Sequence, residues 1–164
     1  MKYIWETYLK ENHFEIDTWN NMNSDIDKYA MYGDTLSEQA LWYKDNPDDI
    51  ISNYKDLIYV IKEATRTIGF VICNISFIEN YYIANINPIV INPAYLKNGY
   101  ASLVIEDLIK NSSKLLVKNL KYIMVMIEKS NVGSIKLFEK IGFSIFKEEQ
   151  TFLQYRFNIE KETF

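Results

Sequence analysis

An α/β domain built on a sheet of mixed strand direction is what the sequence predicts, on three observations. The chain has 164 residues, which suits one domain at the usual size of roughly 100 to 200 residues. β-rich runs fill its middle and its end, but the apolar period turns helical from Gly99 to Lys118 and again after Asn131. The resulting order of strands, helix, strand, helix, strands describes a mixed α/β sheet. Proline and glycine are scarce, at 3 and 5, and no Ser/Gly-rich stretch or internal repeat divides the chain, so residues 1–164 read as a single domain.

Met1 to Leu9 has strand-like content, and Glu11 to Asn20 reads as a short amphipathic helix or turn. Thr35 and Glu38 have the spacing of a capping box, which starts a helix near Leu36 that stops before Pro47. Asp56 to Lys62 and Ile68 to Phe77, parted by the polar Glu63 to Thr67, form an antiparallel hairpin. Tyr81 to Ile91 is a third strand. Its Pro88 cannot donate to a ladder and marks an edge, a bulge or a local break. From Gly99 to Lys118, Ala101, Val104, Ile105, Leu108, Ile109, Leu115 and Leu116 share one helical face, with Glu106 and Lys110 paired opposite. Tyr122 to Ile127 is a buried strand, Asn131 caps a helix to Lys140, and Gly142 supplies a left-handed stop. Two strands, about Phe143 to Lys147 and Thr151 to Ile159, close the chain.

Composition narrows the chemistry. With 48% hydrophobic, 15% aromatic and 24% charged residues, the chain buries a sizeable core under an ordinary polar surface. No apolar run approaches the roughly 20 residues of a membrane span, and charges interrupt the start where a signal peptide is apolar. A cytoplasmic protein with no membrane partner is expected. The lone Cys73 lies in an apolar run and reads as a buried small hydrophobe. The lone His13 reads as a surface residue, and one His and one Cys leave no material for a metal site or a histidine-based triad. A net charge of −4 gives no footprint for nucleic acid. Residues 1–56 carry 12 Asp+Glu against 5 Lys+Arg, a net −7, and the remainder 10 against 13, a net +3. The acidic third suits a cationic acceptor and the basic remainder an anionic cofactor.

The most informative stretch runs from Ile89 to Ser102, where a strand, a short polar loop and Gly99 come directly before the strongest helix. Unsatisfied N–H groups at such a junction, with the positive end of the helix dipole, suit a pyrophosphate. Gly99 lets the backbone approach the phosphates, and small Ala101 permits close packing.

Leu96-Lys97-Asn98-Gly99-Tyr100-Ala101 resembles the acetyl-CoA loop of the GNAT N-acetyltransferase superfamily, Gln/Arg-x-x-Gly-x-Gly/Ala, except at its first position. A second family motif follows at the expected distance, Asn131-x-x-Ser134-x-Lys136-Leu137-Phe138-Glu139-Lys140-Ile141-Gly142-Phe143. Upstream, Trp19-Asn20-Asn21, the Thr35 to Tyr43 helix start and Ile68-Gly69 look like the branch that includes ribosomal-protein N-terminal acetyltransferases. The resemblance implies a GNAT fold: a mixed, mostly antiparallel sheet with splayed central strands and flanking helices. It implies acetyl-CoA as co-substrate, with the pantetheine arm held by backbone near Ile89 and Ile91. The pyrophosphate then lies on Leu96, Lys97, Asn98, Gly99, Tyr100, Ala101 and Ser102, while Asn131, Phe138 and Lys140 complete the cofactor side.

Two departures from the family pattern bear on mechanism. The residue matching the family's tyrosine acid is Phe138, which has no proton to give. The position of its frequent glutamate base is Asn85, and no carboxylate lies between Tyr81 and Ile91. Glu128, beyond the next strand, is a remote candidate base, and Tyr81 and Tyr82 are candidate walls of the acceptor site. A neutral amine still attacks a bound thioester directly if it is positioned and its proton leaves through water. The expected activity is acetyl transfer to a primary amine, on a protein N-terminus or a small cationic molecule, with a homodimer as a further possibility. The alternative is a catalytically silent acyl-CoA-binding or protein-interaction module.

Overall fold

Seven strands in the order β1-β2-β3-β4-β5-β7-β6 form one sheet in the computed structural model of the chain, which describes residues 2–13, 15–19 and 54–159. The strands are β1 (Ile4–Thr7), β2 (Tyr54–Glu63), β3 (Arg66–Ile78), β4 (Tyr81–Ile91), β5 (Leu120–Glu128), β6 (Ser144–Glu148) and β7 (Phe152–Asn158). The described helices are α1 (Ile16–Trp19), α2 (Tyr100–Lys110), α3 (Ser112–Leu115) and α4 (Val132–Ile141), with short 3-10 turns at Lys10–Asn12 and Pro93–Tyr95. Every pairing is antiparallel except β4 with β5. The expected mixed, mostly antiparallel sheet is present. The helix expected near Leu36 lies outside the described residues.

Local chemistry accounts for the joints. The two residues between β3 and β4, Glu79 and Asn80, have φ of 51° and 69°, the twist that lets a two-residue turn join right-twisted strands. Gly142 ends α4 at φ 117° and donates to the carbonyls of Glu139 and Phe138, so the expected left-handed stop is there. The single helix expected from Gly99 to Lys118 is instead two. Asn111 leaves the helical region, and its side-chain amide donates to the Asp107 carbonyl at 2.9 Å and to Asp107 Oδ1 at 3.2 Å. With Ser112 and Ser113 next in line, local side-chain bonding competes with the helix and offsets the last turn.

Alternation puts the core on both faces of the sheet's first half. Ile68, Val71, Cys73, Ala84, Ile86, Ile123, Val125 and Tyr155 pack with Val104, Ile105 and Leu108 of α2 and with Phe138 and Phe143. On the opposite face Tyr8, Ile16, Trp19, Ile58, Val60, Phe70, Ile72 and Val90 form a second cluster. Burial pushes the Cys73 thiol up to about 12, consistent with an inert packing role.

His13 corrects the sequence reading. It is 1% exposed rather than on the surface. Leu9 N–H donates to its Nδ1 at 2.9 Å, its Nε2 lies 3.0 Å from Glu6 Oε2, and its ring stacks on Tyr8. A single histidine in a polar segment carries no periodic signal that would show this burial. Asp107 is the other unexpected buried polar group, accepting from Lys2 N–H at 3.1 Å and Trp5 Nε1–H at 2.8 Å. It fastens the N-terminal strand to α2.

Candidate functional site

The site begins at an irregularity in β4. Cys73 pairs with Ile86 and Val71 with Ile89, so Asn87 and Pro88 together stand opposite Ile72. This is the bulge that Pro88 foreshadows, and it turns β4 away from its parallel neighbour. The β4–β5 ladder runs from Tyr82 with Leu120 to Ile86 with Val125 and goes no further. Beyond it Ile89 to Ile91 remain paired with β3, and Met126 to Glu128 remain paired with β7. The two strands therefore part, and their facing backbone groups line a slot without a ladder partner. Gly69, opposite Ile91, permits the close approach on the other side of β4: a Cβ there falls 2.9 Å from the Val90 carbonyl oxygen.

Because β4 and β5 are parallel, the segments leaving them emerge at the same end of the slot. From β4, Asn92 ties the loop down. Its N–H donates to the Ile68 carbonyl at 2.8 Å, its side-chain amide donates to the Thr67 carbonyl at 2.9 Å, and its Oδ1 accepts from Ala94 N–H at 3.0 Å. Leu96 to Gly99 are exposed, and Lys97 and Gly99 are left-handed at φ 63° and 77°. Left-handed Gly99 followed by the right-handed start of α2 turns successive N–H groups to one side, a concavity suited to anions. The first helical bond of α2 runs from Leu103 N–H to the Gly99 carbonyl, leaving the amides of Tyr100, Ala101 and Ser102 without an intrahelical acceptor. No acidic residue stands in that first turn.

A tie not read from the sequence braces this loop. The Tyr100 hydroxyl donates to Glu63 Oε2 at 3.0 Å, and Arg66 pairs with the same carboxylate. That hydrogen bond is the main reason the Tyr100 hydroxyl titrates above its ordinary value. Arg66 also lies over the Tyr95 ring, which meets Tyr100 edge-on. The signal was present as Glu63-x-x-Arg66 flanking a turn, but only the fold brings Tyr100 to it.

From β5 the chain reaches Asn131, whose N–H donates to the Glu128 carbonyl at 2.9 Å and whose Oδ1 accepts from Ser134 N–H at 3.2 Å. It caps α4, which lies against α2. Phe138 is 3% exposed and meets Phe143 edge-on at 5.0 Å. Lys140 is exposed in the last turn of α4, about 12 Å along the axis from Val132 at 1.5 Å per residue. Ile89, Ile91, the Leu96 to Ser102 loop and Asn131 thus share one end of the slot, and Lys140 stands away from it.

The two candidate catalytic residues are not neighbours. Asn85 is half-buried in register with Met124, and the pleat puts Asn85, Met124, Met126 and Glu128 on one face. Four residues separate Glu128 from the level of Asn85, about 13 Å of strand. Glu128 is exposed and accepts a hydrogen bond from Ser130 Oγ at 3.4 Å. Among the described residues, no group of three or more His, Cys, Asp or Glu is placed to hold a metal, and no helix is long and apolar enough to cross a membrane.

A model of the acetyltransferase (GNAT) family matches residues 19–143. Comparison with curated proteins finds no match. Among solved structures, the chain is similar to spermidine N-acetyltransferase from Vibrio cholerae in complex with CoA and spermine. The identity is 19% and the TM-score 0.73, over 96% of this chain and 95% of that one. A dodecameric structure of the same enzyme in an intermediate state gives 18% and 0.68, over 96% and 94%. The Campylobacter jejuni N-acetyltransferase PseH in complex with acetyl coenzyme A gives 14% and 0.66, over 96% and 99%. At these identities the structural likenesses establish the fold, and the family model spans most of the sequence. The chain belongs to the acetyltransferase (GNAT) family, whose co-substrate is acetyl-CoA.

Proposed function

We propose that the chain transfers the acetyl group of acetyl-CoA to a primary amine, on a small molecule or a protein N-terminus, by direct attack in a ternary complex. The parting of β4 from β5, with the amide-lined loop at the open end, carries this reading. Backbone groups at Ile89 and Ile91 hold the pantetheine arm in extended pairing. The amides from Asn98 to Ser102 take the pyrophosphate, with Lys97 adding positive charge. Asn131 serves the arm from the α4 side, and Lys140 answers a phosphate farther out. The Glu63, Arg66 and Tyr100 tie keeps the loop in its binding shape.

On the acceptor side, the amine loses its proton to water or, through water, to Glu128. Asn85 lines the approach as a hydrogen-bonding group and takes no proton. Phe138 walls the thiol and leaves protonation of the departing thiolate to solvent. Strand amides near Ile89 and Ile91 polarise the carbonyl. The Vibrio cholerae neighbour is a spermidine N-acetyltransferase, which supports a small amine as acceptor here. The protein N-terminus rests on the resemblance to the ribosomal-protein branch. The acidic candidates for steering a cationic amine, Asp25, Asp27, Asp34, Glu38, Asp45, Asp48 and Asp49, lie outside the described residues. The reading also takes residues 1–164 as one cytoplasmic domain. A homodimer draws support from the edge strand β6, where Ile145 and Phe146 are 53% and 49% exposed.

Phe138 and Asn85 also support a second reading, a silent acyl-CoA-binding or protein-interaction module. An acceptor screen across polyamines, amino acids, aminoglycosides and peptides, reading released thiol with acetyl-CoA in excess, separates the two. Turnover is expected, rising with pH toward the acceptor amine's own pKa. Acetyl-CoA binding without turnover across the panel selects the silent module. A profile that levels off well below that pKa reveals an enzyme base, with Glu128→Gln the variant that identifies it.

A further inference from the structure

The face of the sheet that carries Asn85 continues across two strands to a cation that the expected chemistry does not use. Asn85 pairs with Met124 on β5, and Met124 pairs with Arg156 on β7. Directly paired residues point to the same face, so the three form one row across the sheet. At about 4.8 Å between strands, the Asn85 and Arg156 backbones are about 10 Å apart. The row lies one residue short of Ile86 and Val125, where the ladder ends and the slot opens.

Arg156 is half-buried, and its guanidinium is held from two sides. It lies 4.9 Å from the centroid of the Tyr122 ring and 4.7 Å from that of Phe146. These ring contacts orient the group and themselves use none of its N–H donors. No hydrogen bond or ion pair to Arg156 is present among the described residues. Glu128, the carboxylate of β5 on this face, is about 13 Å along that strand from the row, and Asp56 of β2, which stands in the same row opposite Asn74, is four strand spacings, about 19 Å, from Arg156 between backbones. Lys121 lies over Tyr81 at 4.2 Å and over Tyr122 at 5.2 Å, adding a second positive charge beside the same ring. A guanidinium partly withdrawn from water, held by packing and without an acceptor among the described residues, is arranged to receive a planar or tetrahedral oxyanion through paired N–H bonds.

We propose that Arg156 recognises an anionic group, carboxylate or phosphate, on the amine acceptor and so determines which amines are used. The inference rests on the acetyl-transfer reading for the place of the amine, at the slot beside Asn85. The acceptor then carries its anion within one arginine side chain's reach of that point. This differs from the cationic acceptor that the acidic first third suggests, and the described face supports the anion.

The test uses the full-length protein saturated with CoA and two matched pairs of probes. Glycylglycine is compared with glycylglycinamide, and O-phosphoethanolamine with ethanolamine. Calorimetry reads acceptor binding, and thiol release with acetyl-CoA reads transfer. At least one anionic probe is expected to bind tenfold or more tightly than its neutralised twin, and the pair showing the gap tells carboxylate from phosphate. Arg156→Gln is expected to abolish that gap. Arg156→Lys, which keeps the charge but not the planar fork, is expected to leave only part of it and replaces Arg156→Gln if that variant does not melt as a folded protein. Absence of a gap in both pairs, whether both twins bind or neither does, overturns the proposal, as does a gap that survives unchanged in the folded variants. A gap in binding without thiol release leaves the anion site standing and removes acetyl transfer.

Discussion

At Gly99, two substitutions separate backbone strain from charge. Its φ of 77° is left-handed, and a Cβ built there meets nothing within 4 Å. Gly99→Ala therefore adds backbone strain without a steric clash, and Gly99→Glu adds a negative charge at the mouth of the amide loop as well. The shared strain costs about 1–2 kcal/mol of stability, or roughly 2–4 °C of melting temperature per kcal/mol at this chain length. A carboxylate about 4 Å from a phosphate charge loses about 1 kcal/mol in water-like surroundings and about 4 kcal/mol at an effective dielectric of 20. Since Leu96 to Gly99 are exposed, the lower end of that range applies. The expected loss is about tenfold in acetyl-CoA affinity, or roughly 1.4 kcal/mol. Calorimetric titration of both variants reads it: Gly99→Ala should stay within about threefold of the parent protein, and Gly99→Glu should fall at least about tenfold. A folded Gly99→Glu that binds acetyl-CoA as tightly as Gly99→Ala removes this loop from the phosphate site.

Phe138→Tyr adds a hydroxyl to a buried ring set edge-on to Phe143. If it finds no partner the cost is about 1–3 kcal/mol, visible as a lower melting temperature. An unchanged melting temperature with faster turnover would show that the hydroxyl reaches the slot and protonates the thiolate. Asp107→Asn converts one of the oxygens that accept from Lys2 and Trp5 into a donor and should cost about 2 kcal/mol; an unmoved urea midpoint contradicts that clamp. His13, followed by Lys62, holds the Glu6 carboxyl below its ordinary value of 4.5. The stability linked to Glu6 is therefore present above pH 4.5 and lost as pH falls through its lowered folded value. Glu6→Gln should flatten that portion of the melting-temperature profile, and an identical acid slope in the variant refutes the linkage.

Where local chemistry decides a feature, the sequence shows it. Pro88 cannot complete a ladder, so a break in β4 is readable, and Gly142 and Asn131 announce the ends of α4 through their own backbone and side-chain preferences. The Leu96 to Ala101 loop is legible because its helix start and glycine sit together in the chain. What depends on distant partners is not. His13 is buried by Glu6 and Tyr8, Asp107 by Lys2 and Trp5, and Tyr100 is tied to a hairpin 37 residues away. Arg156 has the same character: its value comes from the strand order that sets β7 beside β5, which no period in the sequence reveals. The break at Asn111 is an intermediate case, since Asn-Ser-Ser is visible but the apolar period runs on through it.

The short ladder between β4 and β5 also governs how the molecule holds together. Among the described residues it is the one backbone seam between β1 to β4 on one side and β5, β7 and β6 on the other. Each side is stitched internally by antiparallel pairing, whereas the seam is parallel, ends at Ile86 and Val125, and needs α2 and its connections to close. A molecule lying along the slot, touching β4 on one bank and the start of α4 on the other, spans that seam as a staple. Its binding free energy then appears as resistance to separation of the two halves, growing with the logarithm of its concentration above the dissociation constant. The opening proposed for the cofactor is thus also the place where occupancy would stiffen the whole sheet.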